Sequence, residues 1–274
     1  MMRHQRGGTA TIFLAAVVLV GTGCVGESED SSGTGSSDAD RITLNSGNQL
    51  QAPNTTRYEE PWTVLVTDAQ GNPVEGVTVT LSIDPLFYFK GRWITIDTDG
   101  DGTPDEWGKG FDSNDDGQID QQGAVWQCNN EDRLLAGLTG FEGSELNGIL
   151  DTEDSNGNGA LDSGEDINGN GTLDTEDLDG DGQLEPSRDS TVIPGTVETN
   201  QNGFAEFKVA YPKGNATWST VRLTAEAEVE GTERAETRRF QLRVLVEDVS
   251  DINVTPPGGT GGPYGQVADC SNPN

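Results

Sequence analysis

The stretch of residues 154–185 reads DSNGNGALDSGEDINGNGTLDTEDLDGDGQLE and dominates the middle of this 274-residue chain. It repeats a frame of about twelve residues with oxygen-bearing side chains at alternate positions, then a glycine, then an apolar residue two positions later. The frames begin at Asp154, Asp166 and Asp177, so their starts lie 12 and then 11 residues apart. This close spacing leaves no room for a helix between one frame and the next.

The residue types in this frame are those of a calcium-binding loop. A hard cation takes several oxygen ligands at about 2.3–2.6 Å, from a loop that turns sharply at glycine and ends with a late carboxylate. We therefore predict that Ca²⁺ binds this region. The candidate ligands of the three frames are Asp154, Asn156, Asn158, Ala160, Asp162, Glu165, Asp166, Asn168, Asn170, Thr172, Asp174, Asp177, Asp179, Asp181, Gln183 and Glu185.

Two earlier frames show the same spacing but lack an acid at the twelfth position, where they carry Gly108 and Gly123. Their last ligand must come from elsewhere in the chain or from water. The candidate ligands there are Asp97, Asp99, Asp101, Asp105, Asp112, Asn114, Asp116 and Asp120.

One further segment is a near copy of part of the array. Residues 147–154 (NGILDTED) match residues 170–177 (NGTLDTED) in all but one residue, but Gly143 stands where the first ligand is expected. We interpret this segment as a decayed copy and predict no ion there.

The tandem array resembles thrombospondin type 3 repeats and other DxDxDG arrays, and more distantly dockerin loops. An EF-hand, by contrast, needs a helix on each side of its loop. The resemblance implies calcium bound along a chain of loops, with a small apolar seam made by Ile119, Leu161, Leu173 and Leu184. The alternative is a solvated acidic linker, and without calcium we expect the segment to be disordered.

The charge of the chain is concentrated in the same region. The chain has 47 acidic and 16 basic residues and a net charge of −31. Residues 97–186 hold 25 acidic residues against Lys109 and Arg133, a net charge of −23. Carboxylates at this density repel one another, and a divalent cation relieves that repulsion. Nucleic acid is not expected as a partner, because phosphate binding needs positive charge.

The N-terminus has the features of an export signal. Arg3 and Arg6 precede an apolar segment at residues 11–20, which is too short to span a membrane, and GTG-Cys24 follows. This pattern resembles a bacterial lipoprotein signal. The resemblance implies cleavage before Cys24, acylation of its thiol and a lipid anchor in the cell envelope, at the outer membrane or cell surface. The alternative is an ordinary secretory signal with an incidental cysteine.

Alternating apolar residues predict strands on both sides of the acidic region. Trp62, Val64 and Val66 alternate with polar residues, as do the apolar residues between Val77 and Ile83. Further strands are predicted at residues 204–211 and 221–229, and a last one with Phe240, Leu242, Val244 and Val246 on one face. Period-two patterns with short turns favour a mainly β fold, a β-sandwich.

Two segments resemble bacterial immunoglobulin-like domains of the invasin and intimin type: residues 66–82 (VTDAQGNPVEGVTVTLS) and residues 199–209 (TNQNGFAEFKV). The resemblance implies an immunoglobulin-like β-sandwich with a structural or adhesive role at the cell surface. The predicted organisation is a signal peptide (1–23), a tether (24–41), the two sandwich parts (42–96 and 189–250), the calcium-loop insertion (97–188) and a disordered Gly/Pro-rich tail (251–274).

The cysteines and a short apolar segment give two further expectations. Cys128 and Cys270 either form a disulfide in an exported compartment or remain free thiols. Asn130 is a candidate cap for a short helix over residues 131–138, whose leucines are interpreted as packing residues.

We do not expect an enzyme. The single histidine, His4, lies in the predicted signal peptide, which excludes His-dependent nucleophiles and His-bearing zinc sites from the mature chain. A glycosidase that uses two carboxylates is a distant alternative. The leading hypothesis is a calcium-binding envelope lipoprotein, and the competing one is a dockerin-like, calcium-dependent module that binds a protein or carbohydrate.

Overall fold

The computed structural model describes residues 39–47, 49–141, 146–229 and 232–274. The predicted signal peptide, Cys24 and most of the predicted tether lie outside the described residues. The strands are β1 (Ala39–Ser46), β2 (Arg57–Asp68), β3 (Thr78–Lys90), β4 (Arg92–Ile96), β5 (Glu106–Phe111), β6 (Gln121–Gln122), β7 (Trp126–Asn129), β8 (Thr191–Ile193), β9 (Thr196–Glu198), β10 (Phe204–Pro212), β11 (Ser219–Val229) and β12 (Thr232–Gln241). Short 3₁₀ turns lie at Glu131–Arg133, Lys213–Asn215 and Val246–Asp248.

The strands form three antiparallel sheets. The first has the order β1-β2-β10-β8, and the second has the order β12-β11-β3-β7 with β9 also paired to β3. A small third sheet, β4-β5-β6, lies within the stretch between β3 and β7. The described chain is therefore mainly β, as predicted. In the part of the chain that the structure describes, no helix is both long and apolar enough to span a membrane.

The first two sheets share one apolar core. Along β2 every second residue from Tyr58 to Val66 is buried, and β10 and β11 show the same alternation. Residues from both sheets, including Val64, Val79 and Leu223, belong to a single buried cluster. This arrangement is consistent with a β-sandwich, in which alternate residues of each strand are buried in the core between the two sheets. Glu60 lies among these apolar residues, and its carboxylate accepts a hydrogen bond from Arg243 Nη2 at 2.6 Å.

The last strand is shorter than predicted. β12 ends at Gln241, Leu242 is buried beyond it, and Val246 is 78% exposed in a 3₁₀ turn. The prediction of one face running from Phe240 to Val246 is therefore wrong. After Leu242 the backbone leaves the sheet, so the later apolar residues no longer alternate between two faces.

The tail is ordered, contrary to the prediction of disorder for residues 251–274. Cys270 forms a disulfide with Cys128, with a Cα–Cα distance of 5.7 Å. Lys90 is buried, and its Nζ donates to the carbonyl of Asp269 at 2.9 Å. Tyr264 packs in a second apolar cluster with Tyr88, Trp93 and Trp218. The Gly and Pro content suggested a flexible segment, whereas these long-range contacts hold the tail on the sheets.

The predicted helix over residues 131–138 is reduced to the 3₁₀ turn Glu131–Arg133. Asn130 does cap it, because its Oδ1 accepts the Asp132 N–H at 3.0 Å. The chain does not continue as a helix, and Gly137 has a φ of +79°, which L-residues rarely adopt. Leu135 is buried, as expected for a packing residue, while Leu134 and Leu138 are 37% and 36% exposed.

Candidate metal-binding loops

The first aspartate of every frame folds its own loop. Asp154 Oδ2 accepts the N–H of Gly159, the sixth residue, at 2.7 Å, and Oδ1 accepts the N–H of Gly157 at 2.7 Å. These hydrogen bonds to the charged form lower the pKa of Asp154. The bond from the sixth-position glycine recurs at 2.7–3.0 Å in the other four frames, at Asp97, Asp112, Asp166 and Asp177.

The backbone conformation explains the sixth-position glycine. Its φ lies between +72° and +90° in all five frames. A Cβ at these positions would meet nothing within 4 Å. Glycine is therefore favoured by the backbone conformation and not by lack of space for a side chain. Glycine adopts this left-handed conformation without the strain that another residue would suffer. The five glycines are Gly102, Gly117, Gly159, Gly171 and Gly182.

Carboxylates converge in two of the five frames. One oxygen from each of Asp97, Asp99 and Asp105, and likewise from each of Asp177, Asp179 and Asp181, lies within 4.8 Å of the other two. Three carboxylate oxygens at this separation are able to hold a metal ion. Within the described residues these are the two such groups of three.

The frames at Asp154 and Asp166 are arranged differently, because they carry asparagines at the third and fifth positions. Asn156 and Asn158 donate from Nδ2 to Asp162 Oδ2 at 2.9 and 2.8 Å. The second frame repeats this arrangement, with Asn168 and Asn170 donating to Asp174. Their amide N–H groups thus face the ninth-position carboxylate. Cation binding there requires the amides to present their oxygens instead.

The two early frames are closed by their ninth residue. Asp105 Oδ2 accepts the backbone N–H of Thr98 at 2.7 Å, and hydrogen bonds from Thr98 lower the pKa of Asp105. Asp120 Oδ2 accepts the Ser113 N–H at 3.1 Å in the same way. In each frame the ninth-position carboxylate therefore reaches back to the second residue. This contact closes the loops without an acid at position twelve.

Four buried glutamates close the remaining loops, and the sequence interpretation identified only one of them. The backbone N–H of each glutamate donates to the backbone carbonyl of a residue at the ninth position of a frame. The backbone N–H of that ninth-position residue donates in return to Oε2 of the same glutamate. We call Glu131, Glu153, Glu165 and Glu176 the closing glutamates; they are at most 8% exposed. Their ninth-position partners are, in the same order, Glu185, Asp174, Asp162 and Asp151, with N–O distances between 2.9 and 3.2 Å.

Glu165 closes its own frame, whereas Glu153 closes a frame to which it does not belong. Glu165 Oε1 accepts the N–H of Ser155, the second residue of the Asp154 frame. Glu153 Oε1 accepts the N–H of Ile167, the second residue of the Asp166 frame, at 2.8 Å. Glu153 thus makes in the Asp166 frame the hydrogen bonds that Glu165, at position twelve, makes in its own frame. The twelfth residue itself, Asp177, opens the next frame.

The near copy at residues 147–154 is an integral partner of residues 170–177. Thr152 and Thr175 form an antiparallel bridge between the two segments. Glu153 of the first segment bonds Asp174 of the second, and Glu176 of the second bonds Asp151 of the first. The contacts are reciprocal, so the two near-identical segments are related by an approximate two-fold axis. Our interpretation of the first segment as merely decayed therefore missed its structural role.

The third frame is attached to the sandwich through Glu131. Glu131 Oε2 accepts the N–H of Glu185, and Oε1 accepts the Tyr88 hydroxyl of β3 at 3.3 Å. Burial, together with the neighbouring Glu185, raises the pKa of Glu131 well above its usual range. Burial also raises the pKa of Glu176 to about 7. Burial and the neighbouring acidic groups therefore both raise the pKa values of these two glutamates.

The predicted apolar seam is half-formed. Ile119, Leu161, Leu173 and Leu184 are each half-buried, and none belongs to the two buried clusters of the described residues. The loops are closed more by hydrogen bonds to carboxylates than by contacts between these four apolar residues.

Comparison with known proteins adds no relative. No protein-family model, curated protein or solved structure matches the chain.

Proposed function

We propose that this chain is a calcium-binding lipoprotein of the bacterial cell envelope, with an immunoglobulin-like domain in a structural or adhesive role. The observation that carries the proposal is the loop geometry common to all five frames. In each frame the first aspartate accepts a hydrogen bond from the N–H of the sixth-position glycine, which folds the backbone into a loop.

Calcium suits these frames better than magnesium does. Calcium accepts six to eight oxygens in flexible geometry, including backbone carbonyls, whereas magnesium demands a near-octahedral shell and retains water. The frames offer carboxylates, amides and a seventh-position carbonyl, at Ala160, Thr172 and Gln183 in the main array. The local net charge of −23 over residues 97–186 favours a divalent cation over a neutral ligand.

The immunoglobulin-like part of the proposal is supported by a contact between the two segments that carry the family resemblance. Thr199 Oγ1 donates to the Val74 carbonyl at 2.7 Å and accepts the Val77 N–H at 2.9 Å. The turn that joins β2 to β3 is thereby fixed to the entry of β10. An exported, lipid-anchored chain of this type would hold its sandwich at the outer membrane or cell surface.

Calorimetric titration of the full chain tests the proposal. We expect at least two calcium sites and much weaker heats with magnesium. Asp177→Asn should weaken one site, because it removes a carboxylate that converges with Asp179 and Asp181. Asp189→Asn is the matched control, since Asp189 is an acid outside the frames. No heat of binding at millimolar calcium would contradict the proposal.

A calcium-dependent binding module is the second candidate. The contact of Glu131 with both Tyr88 and Glu185 favours it, because a change in the third frame would be felt in β3. Limited proteolysis with and without a chelator separates the candidates. A structural array would lose protease resistance in the insertion, whereas a switch would keep its resistance and lose only the binding of its protein or carbohydrate partner.

A further inference from the structure

We propose that a small pocket on the second sheet binds a carboxylate group. The pocket has a volume of about 240 Å³ and lies where β3, β7 and β12 meet the turn Glu131–Arg133. Its lining includes Phe87, Asn129, Arg133, Leu134 and Arg239. It therefore combines two guanidinium groups, two side-chain amides (with Asn130) and an apolar wall.

The two arginines line a pocket without an acidic side chain. Arg133 and Arg239 form no ion pair with a carboxylate in the described ranges, and no acidic side chain lines the pocket. Some of the other described arginines do pair, for example Arg234 with Asp40 and Arg243 with Glu60. In a chain with a net charge of −31, two unpaired guanidiniums in one pocket indicate a site for an external anion.

The Arg239 side chain and the backbone that carries Arg133 are held in place by their surroundings. The Arg239 guanidinium carbon lies 5.4 Å from the centre of the Phe87 ring, a cation–π contact that leaves the N–H edges of the group available. Arg133 ends the 3₁₀ turn, and the start of that turn is fixed because Asn130 Nδ2 donates to the Pro85 carbonyl at 2.6 Å. The pocket is thus positioned by the sheet and by a buried cap.

A carboxylate fits this pocket better than a more highly charged anion. Guanidinium groups bind carboxylates through paired N–H···O bonds, and Phe87 and Leu134 suit a short apolar body attached to the carboxylate. A polyanion such as a phosphate ester would meet stronger repulsion from the acidic molecule. At ~30 Å³ for each water displaced, the volume corresponds to about eight waters and suits a small organic acid or one acidic side chain. The carboxylate is either that of a free small acid or that of an acidic side chain on another protein.

Nuclear magnetic resonance of the arginine Nε–Hε groups of the full chain tests the proposal. Sodium propionate is the free-acid probe, a capped tripeptide with a central glutamate is the protein probe, and sodium chloride is the ionic-strength control. We expect saturable shifts at Arg133 and Arg239 with a Kd of roughly 1 mM. Tighter binding of propionate would assign the site to small acids, and tighter binding of the peptide would assign it to a protein partner.

Substitutions make the test specific. Arg133→Gln and Arg239→Gln should each weaken binding about tenfold, since each removes one charge-assisted contact. Arg238→Gln is the matched control on β12, because Arg238 is exposed and already paired with Glu236. Shifts that sodium chloride reproduces, or an equal loss in the Arg238 variant, would overturn the proposal.

Discussion

The sandwich and the acidic insertion are stabilised by different kinds of buried side chain. In the sandwich, Val64, Val79 and Leu223 are completely buried and hydrophobic burial supplies the stability. In the insertion, the most deeply buried side chains include Glu131 and Glu176, whose carboxylates accept backbone N–H groups. The comparison shows that buried glutamates can organise a segment with too few apolar residues for a core.

The two regions are joined at a few defined contacts. Arg188, near the end of the insertion, pairs with Asp84 of β3 at 3.0 Å and with Asp132 at 3.6 Å. The disulfide between Cys128 and Cys270 fixes the tail beside the same strands. Because the contacts between the two regions are few, we expect substitutions in the core, at these contacts and in the insertion to change stability and hydrogen exchange in different parts of the chain.

The largest effect is expected in the sandwich core. Leu223→Ala leaves a cavity at a fully buried position and should reduce the free energy of unfolding by about 2–5 kcal/mol. The loss should be the same with calcium and with a chelator, as measured by thermal denaturation. Val246→Ala, at an exposed apolar position, is the control. A loss that appears only in the presence of chelator would contradict the separation of the two regions.

Removal of the disulfide should have the next largest effect. The double substitution Cys128→Ser and Cys270→Ser opens a loop that spans 142 residues and should cost about 2–4 kcal/mol. Hydrogen exchange should rise most in residues 261–274, because the tail is then held only by noncovalent contacts. Unchanged protection of the tail would show that the contacts of Lys90 and Tyr264 suffice.

A smaller, local effect is expected for a closing glutamate. Glu153→Ala leaves the N–H groups of Ile167 and Asp174 without their acceptor, at a cost of about 1–3 kcal/mol. Hydrogen exchange should increase in residues 166–177 and stay constant in β2 and β10. Glu206→Ala, an exposed glutamate on β10, is the control. An equal increase in all segments would mean that Glu153 supports the whole fold.

The smallest effect concerns pH in the absence of metal. The pKa of Glu176 is raised from 4.5 to about 7, so the folded state favours the protonated carboxyl. The contribution of this group to stability should be full below pH 4.5 and should be lost as the pH rises through 7. Glu176→Gln should remove this part of the pH dependence of hydrogen exchange in residues 147–154. An unchanged pH profile in the variant would contradict the assignment.

Local patterns in the sequence predicted the local structure well. Alternation along β2 predicted its buried face, and the spacing of Asp154 and Gly159 identified a loop that does form. The contacts missed were those between distant residues. Glu153 and Asp174 are 21 residues apart and Glu131 and Glu185 are 54 apart, so no local period relates them. The near identity of residues 147–154 and 170–177 was the available signal, because two equal segments readily pair by symmetry.

The order of the tail was missed for a related reason. Gly and Pro content describes local flexibility, but Cys270 and Tyr264 are fixed by partners in distant strands. The cysteine pair was the one signal in the sequence that indicated attachment of the tail.

Hydrogen exchange of the full chain with calcium and with a chelator tests the central claim most directly. Binding to the loops should slow exchange in residues 154–185 by about tenfold or more and leave β2, β3, β10 and β11 unchanged. Magnesium at the same concentration should have little effect. Equal exchange in residues 154–185 under both conditions would contradict the account, since hydrogen-bonded carboxylates alone would then explain the order of the insertion.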